Sequence, residues 1–70
     1  MVTETVKWTV YGVEHSASFK TREQDGKTAL DIRIDGSAWE LHSLNLDEAN
    51  AGAVGRRVLE NIAANNGWWQ

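Results

Sequence analysis

Three glycine corners, Tyr11-Gly12, Asp25-Gly26 and Asp35-Gly36, separate four stretches of this chain in which apolar and polar residues alternate. Asp-Gly between such stretches favours a two-residue hairpin, because both turn positions tolerate positive φ. Tyr-Gly is a weaker signal, and a type II turn needs positive φ only at Gly12. Directly opposed residues of an antiparallel pair share a face. A turn at Tyr11-Gly12 therefore sets Val10 against Val13, Trp8 against His15, Val6 against Ala17 and Glu4 against Phe19. A turn at Asp25-Gly26 sets Thr21 against Leu30, Phe19 against Ile32 and Ala17 against Ile34. A turn at Asp35-Gly36 sets Ile34 against Ser37, Ile32 against Trp39 and Leu30 against Leu41. One face then collects the apolar side chains. The other reads Lys7, Thr9, Glu14, Ser16, Ser18, Lys20, Arg22, Ala29, Asp31, Arg33, Ala38, Glu40 and His42, which is almost wholly polar. A slip of one residue at any corner would flip a strand and spoil the agreement.

The remaining chain supplies a cover for the dry face. Asn45-Leu46-Asp47-Glu48 reads as a capping box with Asn45 as N-cap and Glu48 reaching back. Ala51, Val54, Val58, Leu59 and Ile62 recur at helical spacing. Asn65-Asn66-Gly67 is a helix stop, with Gly67 suited to the left-handed C′ position and Trp68 to the apolar contact behind it. Gly52 and Gly55 fall inside this helix, where each costs up to ~1 kcal/mol against alanine. Close approach of helix and sheet over Trp8 and Phe19 is the structural reason favoured for them. The predicted fold is α+β: one domain over 1–70, a four-stranded antiparallel β-meander with one C-terminal helix packed on one face. The strands are expected at about 3–10, 13–23, 28–34 and 37–44 and the helix at about 46–65.

Composition limits the function. The 70 residues contain no cysteine, so neither a disulfide framework nor a thiolate metal site is available, and a reducing, cytoplasmic setting is the expectation. No apolar run is long enough to span a membrane, and no leader pattern opens the chain. Net charge is −3, with seven Lys and Arg scattered among ten acids, which argues against a duplex-DNA binder.

No catalytic constellation is expected. His15 reads as a rim histidine at the end of the core. A Ser37, His15 and Asp35 triad is the only serine-hydrolase reading available, and no nucleophile elbow accompanies it. His15 and His42 lack metal-ligand spacing, and no cofactor or metal is expected. Asp31, Glu40 and Glu14 lie on the wet face, where cross-strand pairing with Arg33 or Lys20 accounts for them. Binding is the function that remains. Two adjacent tryptophans, Trp68 and Trp69, often bury one ring and expose the other, and an exposed tryptophan is a typical hot spot. The fourth strand, 37–44, is an outer strand with Ala38, His42 and Leu44 outward and no lysine to defend it.

Residues 34–58 carry Ile34-Asp35-Gly36-Ser37-Ala38-Trp39-Glu40-Leu41, then Asn50-Ala51, Val54 and Val58. They resemble the N-terminal oligomerisation domain of the actinobacterial H-NS-like nucleoid proteins, a hairpin followed by a helix. The chain departs from that pattern by about three extra residues between Trp39 and Asn50, by Gly55, by the additional N-terminal hairpin and by the lack of a basic tail. The resemblance implies assembly with partners rather than a grip on DNA. Four strands followed by a helix is also similar to the coactivator and Whirly class of single-strand binders, although the expected wet face lacks their stacking aromatics. The expectation is therefore a non-catalytic protein–protein interaction module. It would self-associate as a homodimer or dock on a larger protein as an inhibitor or adaptor, through strand 37–44 or the C-terminal Trp pair. The alternative is a single-stranded nucleic-acid-binding or nucleoid-associated protein.

Overall fold

A computed structural model describes residues 2–68. Four antiparallel strands follow in the order β1-β2-β3-β4: β1 Thr3–Val10, β2 Val13–Gln24, β3 Lys27–Ile34 and β4 Glu40–Leu46. A single helix, α1 Glu48–Asn65, packs on one face of β2 and β3. The fold is the meander plus helix that the three corners predict.

The first two corners set the predicted registers, with Val10 opposite Val13, Phe19 opposite both Glu4 and Ile32, and Ala17 opposite Val6 and Ile34. Tyr11 nevertheless takes positive φ itself, at 51°, beside Gly12 at 77°. The turn is therefore of the type I′ class and not type II. Its twist matches that of the flanking strands, and this outweighs the reluctance of Tyr to enter the left-handed region.

The third corner departs from expectation. Asp35 has φ 53°, and Ser37 N–H donates to Ile34 C=O at 3.0 Å, but no strand begins at Ser37. Pairing resumes only at Glu40, which stands opposite Ile32 where Trp39 was expected, and Leu41 stands opposite Asp31 instead of Leu30. This one-residue shift turns Trp39 and Leu41 out of the core face. Two further irregularities, between Asp31 and Leu30 and between Leu30 and Thr28, then bring Ser43 opposite Leu30 and Leu46 opposite Thr28. Asn45 absorbs one of them with φ 68°, a conformation that Asn tolerates better than most residues.

The helix start moves for the same reason. Leu46 is still strand, packed against the core, so Asn45 is no N-cap. Asp47 caps the helix: its Oδ1 accepts from Ala49 N–H at 3.1 Å and its Oδ2 from Asn50 Nδ2 at 3.1 Å. The C-terminus closes as the sequence suggests. Gly67 adopts φ 75°, Trp68 N–H reaches Ala63 C=O at 2.8 Å and Gly67 N–H reaches Ala64 C=O at 3.2 Å, a Schellman motif.

The core is small. Ala17, Phe19, Leu30 and Ile32 of the sheet meet Leu59 of the helix, with Trp8, Leu46, Val54, Val58 and Ile62 at its margin. The helical ridge nearest the sheet is Ala51, Gly55, Leu59 and Ala63, all buried. Three of these four have little or no side chain, so the helix lies low over Phe19. A second indole has no room beneath such a helix, which is a physical reason for Trp39 to leave this face. The outer strand β1 and the tip of the first hairpin stay uncovered; Val13, inward by register, is 55% exposed.

Candidate functional site: the outer face of the sheet

The shifted register of β4 builds a surface that the sequence pattern concealed. Trp39 rests on the outer face, with Lys20 Nζ 4.6 Å and the Arg33 guanidinium carbon 4.8 Å from its ring centroid. Both distances lie within cation–π range. Beside it, Arg22 grips the nearly buried Asp31 with two hydrogen bonds, Nε to Oδ2 at 2.6 Å and Nη2 to Oδ1 at 3.3 Å. Arg22 also donates to the Gln24 side chain. Thr5 Oγ1 and Ser18 Oγ share a hydrogen bond of 2.8 Å. Under this layer Ser18, Ala29 and Asp31 are buried, although alternation places them on the wet side. A bidentate guanidinium satisfies the desolvated Asp31 carboxylate, which would be costly alone. The Asp31 hydrogen bond pushes the Arg22 guanidinium further above its ordinary pKa, against the opposing pull of burial.

Charge on this face is concentrated. Lys7, Lys20, Arg22, Lys27 and Arg33, five of the seven Lys and Arg residues, stand on it by register, against the carboxylates Glu14 and Asp31. In sequence the cations are scattered among acids. Strand alternation sorts them, because residues two apart share a side. Most remaining acids lie at corners, along the helix and on the opposite side of the sheet. An acidic molecule therefore carries a cationic plate.

The expected site residues are distributed unevenly. Ala38 and His42 are exposed next to Trp39 and Leu41, and Leu44 is 37% exposed further along β4. Leu41, expected in the core, is 53% exposed. Trp68 is no surface anchor: it is 8% exposed, stacked on His15 at 4.4 Å and 12° and tilted against Trp8 at 5.8 Å. It plugs the end of the core because the Schellman turn folds it back there. Trp69 lies outside the described residues. As an edge, β4 is blunted by its irregular register, whereas β1 runs without interruption.

His15 and Asp35 do approach, with Nδ1 3.6 Å from Oδ2, too far for a hydrogen bond. Asp35 Oδ1 accepts instead from Ser16 N–H at 2.9 Å, and Ser37 Oγ from Ile34 N–H at 3.4 Å. These contacts hold a corner and leave His15 without a serine partner. His42 Nδ1 contacts Ser43 Oγ at 2.7 Å with no carboxylate completing a relay among the described residues. Among those residues no three His, Cys, Asp or Glu side chains cluster as metal ligands would. No helix there is long and apolar enough to cross a membrane. On the other side of the fold, Arg56 holds Glu4 through Nε at 3.1 Å and Nη2 at 2.9 Å, which raises the Arg56 pKa and ties α1 to β1.

Comparison with models of known families, with curated proteins and with solved structures returned no match.

Trp39, expected on the core face, is the candidate binding residue that the third corner misplaces. Its signal in the sequence was the pair Lys20 and Arg33, which become neighbours on adjacent strands once β2 and β3 are in register.

Proposed function

We propose that this chain is a non-catalytic protein-binding module that works through the outer face of its sheet, centred on Trp39, and docks there on an acidic surface of a larger protein. The observation that carries the reading is Trp39 held between Lys20 and Arg33 with the exposed Leu41 beside it. Tryptophan, arginine and an apolar neighbour inside a polar rim match the composition of binding hot spots. Pre-ordering of the indole by two cations lowers the entropy lost on docking. Ala38, His42 and Leu44 then lie along one flank of the contact. An inhibitor or adaptor acting in a reducing, cytoplasmic compartment fits a cysteine-free chain with one such surface.

Single-stranded nucleic acid is the second reading, favoured by the same five cations. It is the weaker one. Trp39 offers one stacking platform, whereas single-strand binders line several. Three of the cations are already engaged by Trp39 and Asp31.

Capture from an extract of the native host, using the intact chain alongside Trp39→Ala and Leu41→Lys, separates the readings when paired with titration of a labelled oligothymidine. The proposal expects an acidic protein retained by the intact chain, lost with both substitutions and released by salt. Retention unaffected by either substitution removes the outer face from consideration. Oligothymidine binding in ~20 mM salt that weakens steeply as salt rises would transfer the function to nucleic acid.

A further inference from the structure

The two edges of the sheet are unequal. β4 is broken by two irregularities, while β1 pairs with β2 without a break from Thr3 to Val10 and contains no proline. The two-residue corner makes Val10 and Val13 a hydrogen-bonded pair, so alternate residues of β1 direct their backbone groups at β2. Val2 keeps the same phase, its C=O accepting from Thr21 N–H at 2.9 Å. The N–H and C=O groups of Thr3, Thr5, Lys7 and Thr9 consequently point away from the sheet. On the inner side, α1 packs chiefly on β2 and β3 and reaches β1 through the Arg56–Glu4 pair, leaving Val2 41% and Val6 38% exposed. An unbroken edge and a valine row beside it lie open together.

We propose that two copies of this chain join β1 to β1 in antiparallel fashion about a two-fold axis at Val6, continuing the sheet from one copy into the other. This inference is independent of the outer-face reading and concerns a different surface. The strand is complementary to itself in one register. Val6 meets the partner's Val6, Val2 meets the partner's Val10, Thr5 meets the partner's Lys7 and Thr3 meets the partner's Thr9. Every outward backbone group from Thr3 to Thr9 then finds a mate, and the exposed Val6 and Val2 gain apolar partners in the second copy's Val6 and its half-buried Val10. A register centred on Lys7 opposes two lysines, and one centred on Thr5 sets Val6 against the partner's Glu4. Both are poorer on charge or burial. Glu4, which meets the partner's Trp8, is already drawn aside by Arg56. The helices do not collide, because the β2 strands end up about 14 Å apart across the seam, wider than the 8–10 Å of packed helices. Closed two-fold pairing also removes the regular edge from solvent and leaves only the blunted β4 strands outermost.

The absence of cysteine in the native chain provides a direct test. Directly opposed residues at a non-hydrogen-bonded position have Cα atoms about 4.5 Å apart, within disulfide range. Under mild oxidation Val6→Cys should therefore crosslink to a dimer. Thr5→Cys, displaced from its own symmetry mate, should not. Sedimentation of the unmodified chain at about 100 µM should give the dimer mass, as a micromolar Kd requires. Thr5→Pro removes an outward N–H that β2 does not use, so it should give a monomer with unchanged circular dichroism. A monomer at that concentration overturns the proposal, as does a dimer that survives Thr5→Pro or equal crosslinking of the two cysteine variants. Trp39→Ala leaves β1 untouched, so loss of partner capture with an intact dimer, or the reverse, tells the two surfaces apart.

Discussion

The ring of Phe19 lies against the backbone of Gly55, so close that a Cβ built on Gly55 would stand 2.6 Å from Phe19 Cε1. Phe19 is fully buried, and its ring has nowhere to retreat. Gly52, one turn earlier, has no such neighbour; a Cβ there meets only the Arg56 side chain at 3.9 Å. The two glycines therefore predict opposite signs. Gly55→Ala gains helix propensity but overpacks the core and should destabilise by about 1–3 kcal/mol net. Gly52→Ala should stabilise by up to about 1 kcal/mol. Urea unfolding of the two variants checks both values, and equal signs would mean that α1 does not approach the sheet at Gly55.

Most of this arrangement was legible in the sequence, and the illegible part has one physical origin. The corners at Tyr11-Gly12 and Asp25-Gly26 fixed β1, β2 and β3 because each two-residue turn leaves a single alternation compatible with Phe19 and Ala17 inward. The helix followed from Ala51, Leu59 and the stop at Gly67. The Asp35-Gly36 corner carries the same dipeptide, yet Asp35 spends its carboxylate on Ser16 N–H and the chain runs on to Glu40 before pairing. That choice depends on Lys20 and Arg33 across the sheet and on the shallow space under α1. Both are tertiary facts that no local window contains. The candidate site inherits this limit: Ala38, His42 and Leu44 are exposed, as their place on an outer strand suggests, whereas Trp39 lies on the opposite side from the one expected and Trp68 is buried.

Tyr11 occupies a left-handed position with its side chain fully in solvent. The turn geometry imposes the Cβ strain there and no burial of the side chain compensates it; it amounts to about 1–2 kcal/mol for an ordinary residue. Tyr11→Asn keeps the type I′ turn and relieves part of that strain. It should raise stability by on the order of 0.5–1 kcal/mol, measured as a higher urea midpoint with an unchanged slope. A fall in midpoint would show that Tyr11 makes a stabilising contact through its ring.

The N-cap role that the sequence suggests for Asn45 falls to Asp47, and Asn45 takes a left-handed position at a β4 irregularity instead. Asp47→Ala removes the carboxylate that accepts from Ala49 N–H and should cost about 1 kcal/mol. Asn45→Gly should be neutral or slightly stabilising, since glycine enters the left-handed region freely. Asn45→Val should instead lose roughly 1–2 kcal/mol through strain. Chemical denaturation of the three variants distinguishes a bulge at Asn45 from a cap there; a large loss for Asn45→Gly with none for Asp47→Ala would reverse the assignment.

Two tryptophans, each expected to face the core or an interface, have opposite surroundings, and truncating each one tests the register of β4. Trp68 is buried against His15 and Trp8 at the open end of the core. Trp68→Ala should cost about 3–5 kcal/mol, a large share of what a chain this short can have, since about 0.05–0.15 kcal/mol per residue is usual. Loss of a cooperative transition is within that expectation. Trp39 contributes two cation contacts on a solvated face, so Trp39→Ala should cost only about 1–2 kcal/mol and leave the fold intact by circular dichroism. Lys20→Met with Arg33→Met should reproduce most of the Trp39→Ala loss, because the energy resides in the charges beside the ring and not in burial. If Trp39→Ala instead unfolds the chain as readily as Trp68→Ala, Trp39 faces Ile32 after all, and the cationic plate loses its centre.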